Sequence, residues 1–154
     1  MSGACTIFGS KVDYLAVYNI VSGISPVSVE VAGVPQEWQT LEVVRESTIT
    51  FHSMKRQQQP EFNDFSRLIL GTATFFRHVD VMPMERRERV LDAVYRCQFS
   101  VGVVASPGFN EDEKHFDMIF EIAKSLDGLI FNGSGMVDAN GLLVLDNEGN
   151  FDVA

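Results

Sequence analysis

The tetrapeptide Asn132-Gly133-Ser134-Gly135, directly after the apolar Leu129-Ile130-Phe131, comes nearest to a chemical template in this chain. Glycines at the end of a buried strand let backbone N–H groups approach a phosphate. A dinucleotide fingerprint needs a third glycine opening a helix, and Asp138 stands in that place with hairpin-forming residues after it. A phosphate loop needs a Gly-Lys-Ser/Thr ending, which is absent here. Ser134 does not sit on a nucleophile elbow, because Asn132 and Met136 hold the flanking positions that glycines would occupy. Two readings remain. The glycines serve a loop of unusual backbone angles, or Asn132, Gly133, Ser134, Gly135 and Asp138 edge a ligand pocket at the strand ends.

Other constellations fail at identifiable positions. Asp138, Asn140, Asp146 and Glu148 suggest calcium, but an EF-hand loop places Gly sixth and Glu twelfth; here Gly141 is fourth from Asp138 and Gly149 is twelfth. Two turns stabilised by Asx hydrogen bonds explain these residues better. His52, His78 and His115 are scattered without the i, i+4 partner of a helical zinc site. His78 reads as a helix end and His115 as a helix-surface residue. Cys5 and Cys97 lie among apolar neighbours and read as small core residues, and a Cys97–histidine pair would need a thiol both buried and activated. The expectation is therefore no catalytic residue, no metal and no cofactor.

Carboxylates offer a different kind of site. Glu111, Asp112 and Glu113 lie at the start of a predicted helix, where negative charge is favoured by exposed N–H groups. They read either as a solvated helix terminus or, with Asp138 and Asp146, as an acidic recognition face. Trp38, the only tryptophan, stands in the polar setting Gln36-Glu37-Trp38-Gln39. It is either a core anchor, the favoured reading, or an exposed contact residue of the type enriched in binding hot spots.

The elements that must position these residues follow from periodicity. From Ala4 to Val21 the apolar pattern fits both helix and strand. Val27, Val29 and Val31 alternate with polar residues and predict a strand ended by Gly33 and Pro35, and Leu41 to Met54 predicts one or two more. Pro60 suits a first helical turn. Phe62, Phe65, Ile69, Thr72 and Phe76 then predict an amphipathic helix, with Gly71 marking a close crossing or a weak point. A second helix runs to about Arg96, burying Val90, Leu91, Val94 and Tyr95. Phe99 to Ala105 reads as a strand covered on both faces, followed by a helix with Phe116, Ile119, Phe120, Ala123 and Leu126 inward. Gly128 is placed as its left-handed cap. Leu129 to Phe131 then completes a right-handed βαβ crossover, and Asp138-Ala139-Asn140-Gly141 closes a hairpin. The fold class is α/β, with α+β as the alternative: one domain over 1–154 with a mixed sheet, two amphipathic helices and a C-terminal strand–helix–strand–hairpin unit. Residues 1–45 either complete the main sheet or form a peripheral strand or flap.

Composition bounds the partners. A chain of 154 residues with 45 % hydrophobic content has the makings of a globular core. No apolar run approaches the ~20 residues of a membrane span, and Met1-Ser2-Gly3-Ala4-Cys5 lacks the pattern of a signal peptide. The expected location is the cytoplasm, where the Asn132-Gly133-Ser134 sequon has no role. A net charge of −9 opposes nucleic acid and anionic membranes and favours encounter with a basic protein.

The segments FSVGVVASPGF and FDMIFEIAKSLDGLIFNGSGMVDANGLLVLDNEG, about the last third of the chain, resemble a family of small, uncharacterised bacterial proteins; STITF and the Phe-rich helix match it more weakly. The resemblance implies a shared fold and transfers no catalytic residue. Proteins of this sort are sometimes encoded near polymorphic or secreted toxins, so it implies an immunity protein. The leading expectation is a non-enzymatic interaction module that occludes a basic toxin domain, with Glu111, Asp112, Glu113, Asp138, Asp146 and Trp38 as contacts. The alternative is a small enzyme or ligand sensor with its pocket near Asn132 to Asp138. A homodimer is a third arrangement the sequence leaves open.

Overall fold

Between Ala4 and Val21, strand and helix periodicity both apply, and the chain uses each in turn. Ala4–Gly9 forms strand β1 and Tyr14–Ser22 forms helix α1. The Asp13 carboxylate accepts from the Ala16 N–H at 3.0 Å and caps the helix at its start, which ends the strand reading there. The structure, a computed structural model, describes residues 3–23, 28–44, 47–58, 63–109 and 115–153.

After α1 come strands β2 (Val29–Val34), β3 (Glu37–Val44) and β4 (Thr48–Lys55). Helix α2 (Asp64–Arg77) starts with Asn63 capping the Ser66 N–H at 2.9 Å. Helix α3 (Glu85–Arg96) and strand β5 (Phe99–Ser106) follow. Helix α4 (His115–Ser125) leads to β6 (Leu129–Phe131), β7 (Gly135–Val137) and β8 (Leu143–Asp146). Pro60 and Phe62, expected at the start of the helix that carries Phe65 and Ile69, lie outside the described residues.

The strands form one α/β sheet in the order β2-β3-β4-β5-β1-β6-β7-β8. Every pairing between these described neighbours is antiparallel, a correction to the mixed sheet expected from sequence. The strand–helix–strand unit is present, but β1 lies between its two strands, pairing Ile7 with Val101 on one side and with Ile130 on the other. The first strand is thus internal to the sheet, and β2 and β3 extend it to one edge.

Alternation along β1 sends Ile7 and Phe8 to opposite faces, and each face has its own core. On the first, Ile7, Phe51, Val101 and Val103 pack with Val17 and Val21 of α1, with Ile119 and Ile122 of α4, and with Leu126 just after that helix. On the second, Phe8, Leu129, Met136 and Leu145 pack with Phe65, Ile69 and Phe76 of α2 and Val90 and Val94 of α3. Tyr95, expected inward, is exposed. β5 is covered on both faces only in its first half: Ser100 is buried, whereas Val104 on the same side is 46 % exposed.

Helix α4 ends in a Schellman arrangement. The Gly128 N–H donates to the Ala123 carbonyl at 2.9 Å and the Asp127 N–H to Lys124 at 3.2 Å. The left-handed residue is Asp127, at φ 49°, and not Gly128 as expected. Gly128 is required for a different reason, since a Cβ there would collide with the Phe8 carbonyl.

Candidate functional site

A cavity of about 710 Å³ opens where α4 leaves the sheet. Ala4 and Cys5 of β1, Ile130 of β6 and Val137 of β7 form its sheet side. Phe116, Ile119 and Phe120 of α4 form the opposite wall, and Phe109 approaches from beyond β5. The Phe109 ring lies 5.5 Å from that of Phe116, tilted by 46°, and 6.3 Å from the His115 ring. His115 is 2 % exposed, which corrects its reading as a surface residue: it is the first residue of α4 and turns inward beside Phe109.

Asn132, Gly133 and Ser134 make the polar rim of this cavity. Gly133 adopts φ +97°, a left-handed conformation that other residues rarely take. This lets the chain turn back on Asn132. The Asn132 Oδ1 accepts from the Ser134 N–H at 3.0 Å, the Gly135 N–H at 2.9 Å and the Ser134 hydroxyl at 3.1 Å. The glycine-rich segment therefore bends around its own asparagine, and two of its N–H groups are already engaged.

The structure brings Asn132, Gly133 and Ser134 together and separates Asp138 from them. Gly135 begins β7 opposite Asp146, while Asp138 follows Val137 at the other end of that short strand. The Asp138 Oδ1 accepts from the Asn140 N–H at 2.9 Å and the Leu142 N–H at 3.0 Å, and so organises the hairpin turn. Asp138 lines a separate depression with Arg89, Asp92 and Arg96.

Asp146 plays the same part in the next turn, accepting from the Glu148 and Asn150 N–H groups at 2.9 Å. Desolvation is the largest single influence and opposes its charge, but these bonds, the Asn150 side chain and the Gly149 N–H together outweigh it and hold its carboxyl below the usual range. Asp138 and Asp146 thus sit at opposite ends of one hairpin, each committed to its own turn. Glu111, Asp112 and Glu113 lie outside the described residues. Trp38 is 1 % exposed, so it is a core anchor and not a surface contact.

Among the described residues that line the cavity, none carries a formal charge. Burial pushes the Cys5 thiol up to about 12, which keeps it protonated and poorly nucleophilic at neutral pH. No cluster of three or more His, Cys, Asp or Glu among the described residues is placed to hold a metal ion. No described helix is long and apolar enough to cross a membrane.

Sequence reasoning pointed to Asn132, Gly133 and Ser134 but missed the walls. Phe109, Phe116 and Phe120 read as ordinary apolar residues, and Cys5 lies over a hundred positions from them in the chain. The only signal was a surplus of phenylalanine on either side of Pro107 and along one helix. No protein-family model matches the chain, and comparison with curated proteins and with solved structures finds no match.

Proposed function

We propose that this protein is a small-molecule-binding domain, with its ligand seated in the cavity between α4 and the ends of β1, β6 and β7. The observation that carries this reading is the cavity itself. Its volume lies within the roughly 300–1,000 Å³ of ligand sites, and an apolar wall with a few convergent polar groups is the usual composition of such sites.

A thermal-shift screen with small uncharged aromatic compounds, run on the wild type and on Val137→Trp, tests the proposal. Val137 is half-buried at the cavity wall, so an indole there fills space without opening the core. Stabilisation of the wild type that Val137→Trp abolishes supports the reading. A flat screen with both proteins overturns it.

A second reading keeps the interaction role, and a different surface favours it. Glu30 of β2 stands opposite Glu42 of β3, and Glu42 opposite Thr50 of β4, which faces Val104 of β5. The two glutamates share a row with the 46 % exposed Val104. Like charges directly opposite one another destabilise a sheet, and a basic protein surface would relieve them. A toxin domain of the kind implied by the family resemblance is such a partner. Pull-down from the native host at low salt, with a Glu30→Gln/Glu42→Gln double variant as control, tests it. Retention of a basic protein by the wild type and its loss from the variant is the expected result. Equal recovery by both proteins would dismiss this surface.

A further inference from the structure

We propose that the ligand of this cavity is an electroneutral compound with an apolar body and a carbonyl-type acceptor, and that the Asn132 side-chain amide reads that acceptor through Nδ2. The inference rests on the cavity reading above and adds the chemical class that the site selects.

The orientation of the Asn132 amide follows from its neighbours. An amide oxygen and nitrogen are exchangeable in shape, and only the hydrogen-bond network tells them apart. Here two backbone N–H groups and a hydroxyl converge on one amide atom at 2.9–3.1 Å. All three can donate, and the two N–H groups can do nothing else, so that atom is the oxygen. The NH₂ group must then lie on the far side, away from the turn. Asn132 is an exposed residue of the cavity rim, so the group it offers there is a donor with two hydrogens. The Ser134 hydroxyl is turned towards Oδ1 and adds no competing donor.

The rest of the wall sets the ligand's charge and body. Phe109, Phe116, Phe120 and Ile130 supply apolar surface, and the Cys5 thiol behaves as a small apolar group. Burying an ionised ligand group against such surface is costly unless a counter-charge meets it, and the described lining holds none. A neutral ketone, ester, lactone or amide avoids that cost and has an oxygen for Nδ2.

The test uses acetophenone, its isosteric hydrocarbon α-methylstyrene, and benzoate, titrated into the full chain by calorimetry. The variant is Asn132→Asp. It keeps a carboxylate oxygen for the three turn donors and replaces only Nδ2, so the turn is retained while the reading group is lost. Acetophenone is expected to bind wild type about three- to tenfold more tightly than α-methylstyrene, as a net neutral hydrogen bond provides. Benzoate is expected to bind more weakly than either. In Asn132→Asp the preference for the ketone disappears while the hydrocarbon still binds. Equal affinities for ketone and hydrocarbon in wild type, or a preference that survives in Asn132→Asp, would overturn the proposal while leaving the cavity reading intact. If none of the three compounds binds, both readings fall. Should the variant not fold, the Asn132 side-chain NH₂ resonances of ¹⁵N-labelled wild type decide: they shift with acetophenone and not with α-methylstyrene if Nδ2 reads the acceptor, and respond alike to both if it does not.

Discussion

The indole Nε1–H of Trp38 donates to the backbone carbonyl of Tyr14 at 2.8 Å, tying β3 to the first turn of α1. The two rings meet edge to face at 5.8 Å, and both pack edgewise against Phe99. One buried side chain thus joins an outer strand, a helix and the inner strand β5. A polar local sequence around Trp38 coexists with full burial because β-strand neighbours point the other way: Glu37 and Gln39 are exposed.

Trp38→Phe keeps the aromatic body and removes the donor. A cost of about 2 kcal/mol is expected from the lost hydrogen bond and the small void left behind. Urea denaturation followed by far-UV circular dichroism checks it. In the wild type, the fluorescence of this single tryptophan should be blue-shifted and poorly quenched by acrylamide until the chain unfolds.

Gly71 lies on the exposed side of α2, and a Cβ built there meets nothing within 4 Å. No close helix crossing requires it. Gly71→Ala should therefore stabilise the protein by about 1 kcal/mol, through helix propensity and a less flexible unfolded chain. Gly128→Ala should do the opposite, because its Cβ is driven into the Phe8 carbonyl. Thermal melts of the two variants should move in opposite directions.

Burial pushes the thiols up, Cys5 to about 12 and Cys97 to about 11 from an ordinary 9.0. At pH 8 the native chain should react with iodoacetamide far more slowly than a free cysteine, by about a thousandfold at Cys5 and about a hundredfold at Cys97. The linkage to stability follows. Above pH 9 the unfolded chain loses these protons while the native state keeps them, so stability is whole below about pH 9 and declines towards pH 11–12. A Cys5→Ala/Cys97→Ala variant should show a shallower alkaline decline in melting temperature than the wild type.

Asp146 titrates with the opposite sign. Its folded carboxyl is held below the ordinary 3.8, so the unfolded chain takes up the proton first as pH falls. Its contribution is present above about pH 4 and is lost as pH drops through the lowered native value. Asp146→Asn keeps an acceptor for the Glu148 and Asn150 N–H groups without the charge. The stability gap between wild type and variant, measured by urea denaturation, should therefore be full at neutral pH and shrink as pH falls below 3.8.

Much of the candidate site was legible locally, and some of it was legible for the wrong reason. The Asn132–Ser134 turn stood out because glycines after a buried strand mark unusual backbone, and Gly133 does take a positive φ. Asp138 stood beside it in sequence, yet a strand of three residues suffices to put it at the far end of the hairpin. His115 looked like a surface residue because it stands beside Asp117, and its burial depends on Phe109 approaching through space. At Asp127-Gly128 the turn was expected, but its left-handed residue was assigned one position late. Space against Phe8, which no local rule contains, is what demands the glycine.

The sequence by itself determined the elements whose periodicity is unambiguous: the stripe of Phe65, Ile69 and Phe76, the inward residues of α4, and the alternating strand that carries Val29 and Val31. These patterns act over a few residues, through a helical or strand repeat that any one segment carries whole. Only the tertiary structure decided that β1 enters between β5 and β6, with Ile7 in register opposite Val101 on one side and Ile130 on the other. That pairing joins residues about a hundred positions apart, and backbone hydrogen bonds carry no label of their partner. The cavity exists only because of it, since Cys5 reaches the phenylalanines of α4 by way of that inserted strand.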